Sequence, residues 1–195
     1  SRYLLYSQIK RGLIKFNLEA EFDTLSQKIN SYSLSGYIKE AKFNLLGYDS
    51  IDGINFNFDT KDKLIKISNL KFRYQNLSFV SEDIEINAEK SDSYFIKGDI
   101  ENSKALIIPN VLFKLANIKQ DFLSNKDISI KSKNFFSFKF SKFKKLENIK
   151  IDSIIKFDEI HLGKKYKNLI FLKDGTINSK YENSQFNADL TSNFI

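Results

Sequence analysis

A chain of 195 residues, 42% hydrophobic and 28% charged, is long enough to bury a core and too apolar for a disordered tail. The absence of Cys excludes disulfide scaffolds, thiol catalysis and Cys zinc sites, and a single His excludes most His-based machinery. The net charge of +7 rests on 28 Lys against 3 Arg, beside 25 Ile, 2 Val and 19 Asn. A/T-rich codons produce that bias without selection for nucleic acid, although a basic surface favours anionic lipid headgroups.

Period-two alternation, the mark of half-buried strands, begins with Ile14, Phe16, Leu18 and Ala20. Leu34, Gly36 and Ile38 follow, then Ala41, Phe43 and Leu45 on the other parity. Such a one-residue slip is what a β-bulge produces. Ile54, Phe56 and Phe58 lead into the polar break Thr60-Lys61-Asp62-Lys63, and Ile65 and Ile67 give way to Leu70, Phe72 and Tyr74 with a second slip. Breaks at Gln75-Asn76 and Ser81-Glu82-Asp83 set Leu77 and Phe79 apart from Ile84, Ile86 and Ala88. Tyr94, Ile96, Gly98 and Ile100 form the next run. Apolar stretches such as Ala105 to Ile108 run to only four residues, far short of the ~20 residues of a spanning helix.

After Pro109-Asn110, residues Val111, Leu112, Leu115, Ile118 and Phe122 fall on one helical stripe. They predict a short helix near 110–119 that plugs an open end or edge of the sheet. Alternation resumes at Ile128 and Ile130, continues through Phe136, Phe138 and Phe140, and closes with Phe186, Ala188 and Leu190. Asp174-Gly175 is the strongest turn by chemistry, because Gly accepts the positive φ of a type I′ hairpin, and Glu182-Asn183-Ser184 is another. The expected fold is mostly β: about ten or eleven strands in a long, twisted, antiparallel up-and-down sheet with an open apolar groove. One β-rich segment covers 1–195, and the βαβ grammar of nucleotide-binding folds is excluded. Ten strands spaced by about 4.8 Å would span about 48 Å.

Catalytic constellations fail on spacing. Glu159 and His161 share a strand face and could give two metal ligands, but nothing nominates a third. His161 is the only candidate base for a triad, and no G-x-S-x-G elbow exists. Gly163-Lys164 lacks the Gly that a phosphate loop needs five positions upstream, where Asp158 stands. The carboxylate pairs Asp49/Asp52, Asp59/Asp62 and Glu82/Asp83 fall in predicted turns. No catalytic, cofactor-binding or metal residue is therefore nominated, and an enzyme is not expected.

Residues 126–150 hold eight Lys against Asp127 and Glu147, with Phe135, Phe136, Phe138, Phe140 and Phe143 interleaved. That mixture imitates a single-strand nucleic-acid platform. On a strand, however, Phe136, Phe138 and Phe140 point away from Ser137 and Lys139, which separates stacking from phosphate contact. The reading is a buried aromatic face backed by solvated Lys, with no nucleic-acid partner.

The stretch from Leu34 to Ile100 combines Gly36, Ile38, Ala41 and Phe43 with the run Ile54, Phe56, Phe58 and Asp59. The hairpin Leu70, Phe72, Tyr74, Leu77, Phe79 and Ser81 follows, and Tyr94 to Asn102 closes the unit. Phe157 to Leu162 and Leu169 to Ile177 carry a similar cadence. This grammar resembles the AsmA-like family of Gram-negative bacteria, the AsmA, TamB and YhdP type. The resemblance implies a β-groove that carries phospholipid acyl chains across the periplasm from an inner-membrane anchor, with no catalytic residues to carry over. Relatives of that kind are much longer, so the chain is expected to be a fragment whose membrane anchor lies outside it.

Candidate lining residues are Ile14, Phe16, Leu18, Ile54, Phe56, Phe58, Leu77, Phe79, Ile84, Ile86, Phe136, Phe138 and Phe140. An acyl chain on them would gain about 0.8 kcal/mol per buried methylene. The same residues would build the core of a closed β-sandwich or solenoid used for adhesion or carbohydrate binding. A periplasmic scaffold assisting outer-membrane protein assembly would instead work through its strand edges.

Overall fold

The computed structural model describes residues 9–25, 27–44, 50–74, 77–89, 93–107, 127–141, 146–161 and 171–194. Ten strands run in chain order: β1 (Ile9–Asp23), β2 (Lys28–Asn44), β3 (Ser50–Lys61), β4 (Leu64–Tyr74), β5 (Leu77–Ala88), β6 (Ser93–Ile107), β7 (Ile128–Ser141), β8 (Leu146–His161), β9 (Phe171–Glu182) and β10 (Gln185–Phe194). Each is hydrogen-bonded to its neighbour in sequence, so the order in the sheet is β1 through β10 without a crossover. This is the antiparallel up-and-down sheet expected from the alternation, open rather than closed into a barrel. The predicted helix near 110–119 and the Gln75-Asn76 break lie outside the described residues. Two compact units divide the chain, Ser1–Ile100 with Phe135–Ile149 and Glu101–Asn134 with Lys150–Ile195.

In the first unit the slips predicted at Ile38–Ala41 and Ile67–Leu70 are bulges, and a third, not predicted, stands at Gly53. Glu40 (φ 51°), Gly53 (φ 60°) and Asn69 (φ 54°) adopt left-handed backbone. Each sits between two apolar residues three apart: Ile38 and Ala41, Ile51 and Ile54, Ile67 and Leu70. The register shifts with them between Ile38 and Ala41 on β2, and between Asp52 and Asn57 on β3 against β4. An extra residue in the strand returns the following side chains to the original face. Asn55 holds the β2–β3 irregularity: its Oδ1 accepts from the Glu40 amide at 3.1 Å and its Nδ2 donates to the Gly53 carbonyl at 2.7 Å.

Two expected turns are strand interior instead. Ser81-Glu82-Asp83 lies within β5, where Ser81 pairs with Leu70 and Asp83 with Ser68. The phase change there follows the bend of β4 at Asn69, so the ladder continues through it. In the second unit, Asp174-Gly175 lies within β9, and Gly175 faces Phe157 on β8. Asp174 takes the positive φ (48°), and the register against β10 shifts between Thr191 and Asn193. The glycine is needed for space: a Cβ there would lie 1.9 Å from Cζ of Phe157, a ring only 3% exposed. The turn beside it matches its expectation. Glu182 pairs with Gln185, and Asn183 (φ 53°) and Ser184 (φ 61°) make the two-residue link of a type I′ hairpin.

Gly175→Val should expel the Phe157 ring and cost about 2–3 kcal/mol, read as a fall in the urea midpoint. In a Phe157→Ala background the same change should cost much less, and equal costs in both backgrounds would refute the ring-over-glycine account. Asn55→Ala should cost about 1–2 kcal/mol by leaving the bulge amide unpaired, measured by the same denaturation.

Candidate functional site

Cross-strand pairs in the first unit assemble one apolar face. Phe16 faces Gly36, Gly36 faces Phe58, Phe58 faces Ile67 and Ile67 faces Ile84. The next row runs Leu18, Leu34, Thr60, Ile65 and Ile86, and another joins Ile14, Ile38 and Phe56. Beyond the bulges, Phe43 pairs with Ile51, Ile51 with Tyr74 and Tyr74 with Leu77. Phe72 stacks on Phe79 with ring centroids 5.0 Å apart, while Phe56 and Phe58 meet edge-on at 6.3 Å.

Of the predicted lining residues, ten share this face: Ile14, Phe16, Leu18, Ile54, Phe56, Phe58, Leu77, Phe79, Ile84 and Ile86. Phe136, Phe138 and Phe140 lie on one side of β7, with the first two rings stacked at 6.0 Å. Gly36 leaves the gap between Phe16 and Phe58, since a Cβ there would come within 2.9 Å of Cζ of Phe58 and 2.2 Å of the Lys15 carbonyl oxygen. Residues the lining list omits also belong to the face, among them Leu34, Ile38, Phe43, Ile65, Ile67 and Phe72. Their strand parity, corrected for the bulges, is the signal that would have found them.

The face is open on β1 and half-buried along β2 to β5, where Ile84 is buried. Among the described residues only Ile84, Ile128 and Phe157 are buried hydrophobics, whereas Ile14, Phe16 and Leu18 are 56%, 59% and 58% exposed. A closed sandwich of this length would bury far more, and the described strands belong to one hydrogen-bonded sheet. Where β1, β2 and β3 are bulged together, the face deepens into a pocket of about 270 Å³. Its walls are Leu13, Ile14, Ile38, Ala41, Phe43, Ile54 and Phe56 beside Gly12, with Arg11 and Lys42 among the lining residues.

Charges occupy the other side. Asp59 pairs with Lys66 and Lys66 with Glu85, and the Lys97 ammonium reaches Glu85 at 2.9 Å. Of the eight Lys in residues 126–150, Lys133 meets Glu101 at 2.6 Å, Lys139 meets Glu89 at 2.5 Å and Lys150 meets Glu182 at 2.5 Å. Lys126, Lys142, Lys144 and Lys145 lie outside the described residues. In the second unit, Asn102 is 2% exposed; its Oδ1 accepts from the Ser132 amide at 2.6 Å and from the Ser132 hydroxyl.

His161 and Glu159 meet at 2.7 Å on β8, and among the described residues no group of three His, Cys, Asp or Glu converges on a common point. The acidic pairs do not form a cleft. Asp52 is bound to Lys42 at 3.2 Å, Asp59 lies in β3, Asp62 is in the β3–β4 turn, and Glu82 and Asp83 lie in β5. Asp49 lies outside the described residues. No helix among the described residues is long and apolar enough to cross a membrane. Comparison with known families, characterised proteins and solved structures yields no match.

Hydrogen bonds from Lys97, Lys139, Lys133 and Lys150 hold the carboxyls of Glu85, Glu89, Glu101 and Glu182 below the usual range. Each therefore binds a proton less readily folded than unfolded. Their stabilisation is present above the unfolded value of 4.5 and lost as pH falls through the lower folded values. The urea midpoint should drop below about pH 4, and Glu85→Gln should flatten that acid limb. An unchanged acid limb would show that the Lys97–Glu85 pair adds nothing to folding.

Proposed function

We propose that this chain is a non-enzymatic section of a cell-envelope protein that binds or conducts phospholipid acyl chains along its apolar face. The observation that carries this reading is the face of the first unit, apolar across five neighbouring strands, exposed on β1 and half-buried on most of β2 to β5, and backed by a charged face. A soluble sheet that keeps so much aliphatic and aromatic surface in water is expected to have an apolar ligand or partner. Among the described residues, the face presents no buried ion pair to fix a head group in one place. A chain lying on it would therefore be held by area alone, at about 0.8 kcal/mol per methylene removed from water.

The resemblance to AsmA-like proteins supports the same reading and extends it. The section would work in the periplasm of a Gram-negative cell, between inner and outer membranes, within a protein anchored to the inner membrane. Its partners would be phospholipids and the membrane rather than nucleic acid.

Native mass spectrometry on the chain purified from a Gram-negative host should detect co-purified phospholipid. Phe56→Asp and Phe138→Asp should each lower lipid occupancy roughly tenfold while circular dichroism still reports the β-sheet. A monodisperse wild-type protein that carries no phospholipid and takes none from vesicles would overturn the proposal.

A further inference from the structure

Among the described residues β1 has a neighbouring strand on one side only, since the sheet order places it at one border and β10 at the other. A border strand presents a row of backbone amides and carbonyls on which a further strand can pair, and folded proteins usually blunt such edges with Pro, brevity or inward charges. β1 is 15 residues long and contains no Pro. Its Ile14, Phe16 and Leu18 are each more than half exposed.

The charges along this strand are sorted by sign: Lys10, Arg11 and Lys15 precede Glu19, Glu21 and Asp23. Pairing with β2 does not account for the order, because the residues opposite Lys15, Glu19 and Glu21 are Tyr37, Ser33 and Ser31. Glu19 accepts from the Asn17 side-chain amide at 3.2 Å, and Glu21 from the Ser31 hydroxyl at 2.8 Å. Both donors are neutral, so the complement to the charge pattern lies on the other side of the strand.

A strand with one basic and one acidic half complements itself when turned antiparallel. The register of β1 against β2 is unbroken from Leu13 to Glu21, a stretch with Asn17 at its centre. Laid on a second copy about Asn17, it sets Lys15 opposite the partner's Glu19, and symmetry repeats the pair. Phe16 then meets the partner's Leu18 and Ile14 the partner's Ala20, because opposed residues of an antiparallel pair share a face. The border strand β10 offers no such match, with Asp189 as its one charged residue.

We propose that β1 is a self-association edge, on which a second copy of this chain pairs antiparallel about Asn17 and continues the sheet across a two-fold axis. An isologous contact of this kind closes at two subunits. It does not depend on acyl binding, so the oligomeric state tests it alone.

Sedimentation velocity over a micromolar dilution series should show the wild type passing from dimer to monomer. Lys15→Glu and Glu19→Lys each set like charges opposite one another twice per dimer and should weaken it about tenfold. The double variant Lys15→Glu/Glu19→Lys restores opposite charges and should recover the dimer, and Asp189→Lys on β10 should leave it unchanged. The chain has no Cys. Asn17→Cys, opposed to itself in this register, should therefore give a disulfide-linked dimer with oxidised glutathione, whereas Glu21→Cys, opposed to the partner's Leu13, should not.

A wild type that stays monomeric throughout the series would overturn the proposal. Growth beyond the dimer, or loss of association in Asp189→Lys, would also overturn it, by tracing the contact to head-to-tail pairing of β1 on β10. Failure of the double variant to recover the dimer, or equal cross-linking at positions 17 and 21, would do the same for the register.

Discussion

In a β-strand, moving the register by one residue turns every later side chain to the opposite face. A sheet that carries its apolar residues on one side only can tolerate no uncorrected slip. This constraint organises the first unit. Strands of 17 residues in β2 and 12 in β3 are two to three times the usual length, and their sequences do not keep one parity throughout. Glu40, Gly53 and Asn69 each absorb a residue in left-handed backbone, so that Ala41, Ile54 and Leu70 rejoin the face of Ile38, Ile51 and Ile67. A bulge leaves ladder groups unpaired, and the Asn55 amide supplies partners at the β2–β3 irregularity.

Within each unit, contacts between neighbouring strands contribute directly to stability. Ring pairs such as Phe72 with Phe79 and Phe56 with Phe58 are cross-strand or same-strand neighbours. Gly36 and Gly175 give rings of adjacent strands somewhere to lie. On the charged side, Lys and Glu of neighbouring strands are bridged repeatedly. Each exposed bridge contributes little to stability, but opposite charges across the ladder favour one register over a slip that would bring like charges together.

The apolar face connects fold to proposed function. A sandwich with this composition would have used its apolar residues on itself. Here those on β1 stay exposed, and the bulged corner of β1–β3 adds shape to an otherwise uniform face.

Much of this was legible in the residues. Alternation located the strands, polar breaks located Asp62 and Asn183-Ser184, and the slips at residues 38–41 and 67–70 were recognisable as bulges because apolar residues stood on both sides of them. The slip at Ser81-Glu82-Asp83 was misread as a turn because three polar residues filled it. Asp174-Gly175 was misread because the small residue that suits a type I′ turn also suits a bulge beneath an aromatic ring. Both errors have one cause: local chemistry states what backbone a residue tolerates, not which strand lies opposite. The lining residues were found from parity, while the roles of Asn55, Asn102 and Gly36 depend on partners 15 to 30 positions away. The amino-acid pattern by itself determined an antiparallel sheet with one apolar and one charged face, because side-chain direction in a strand is set residue by residue. Only the tertiary structure decided that the described strands make one sheet, that the apolar face is exposed on β1 and half-buried beyond it, and that three bulges coincide to form a pocket, because pairing and burial depend on contacts between distant segments.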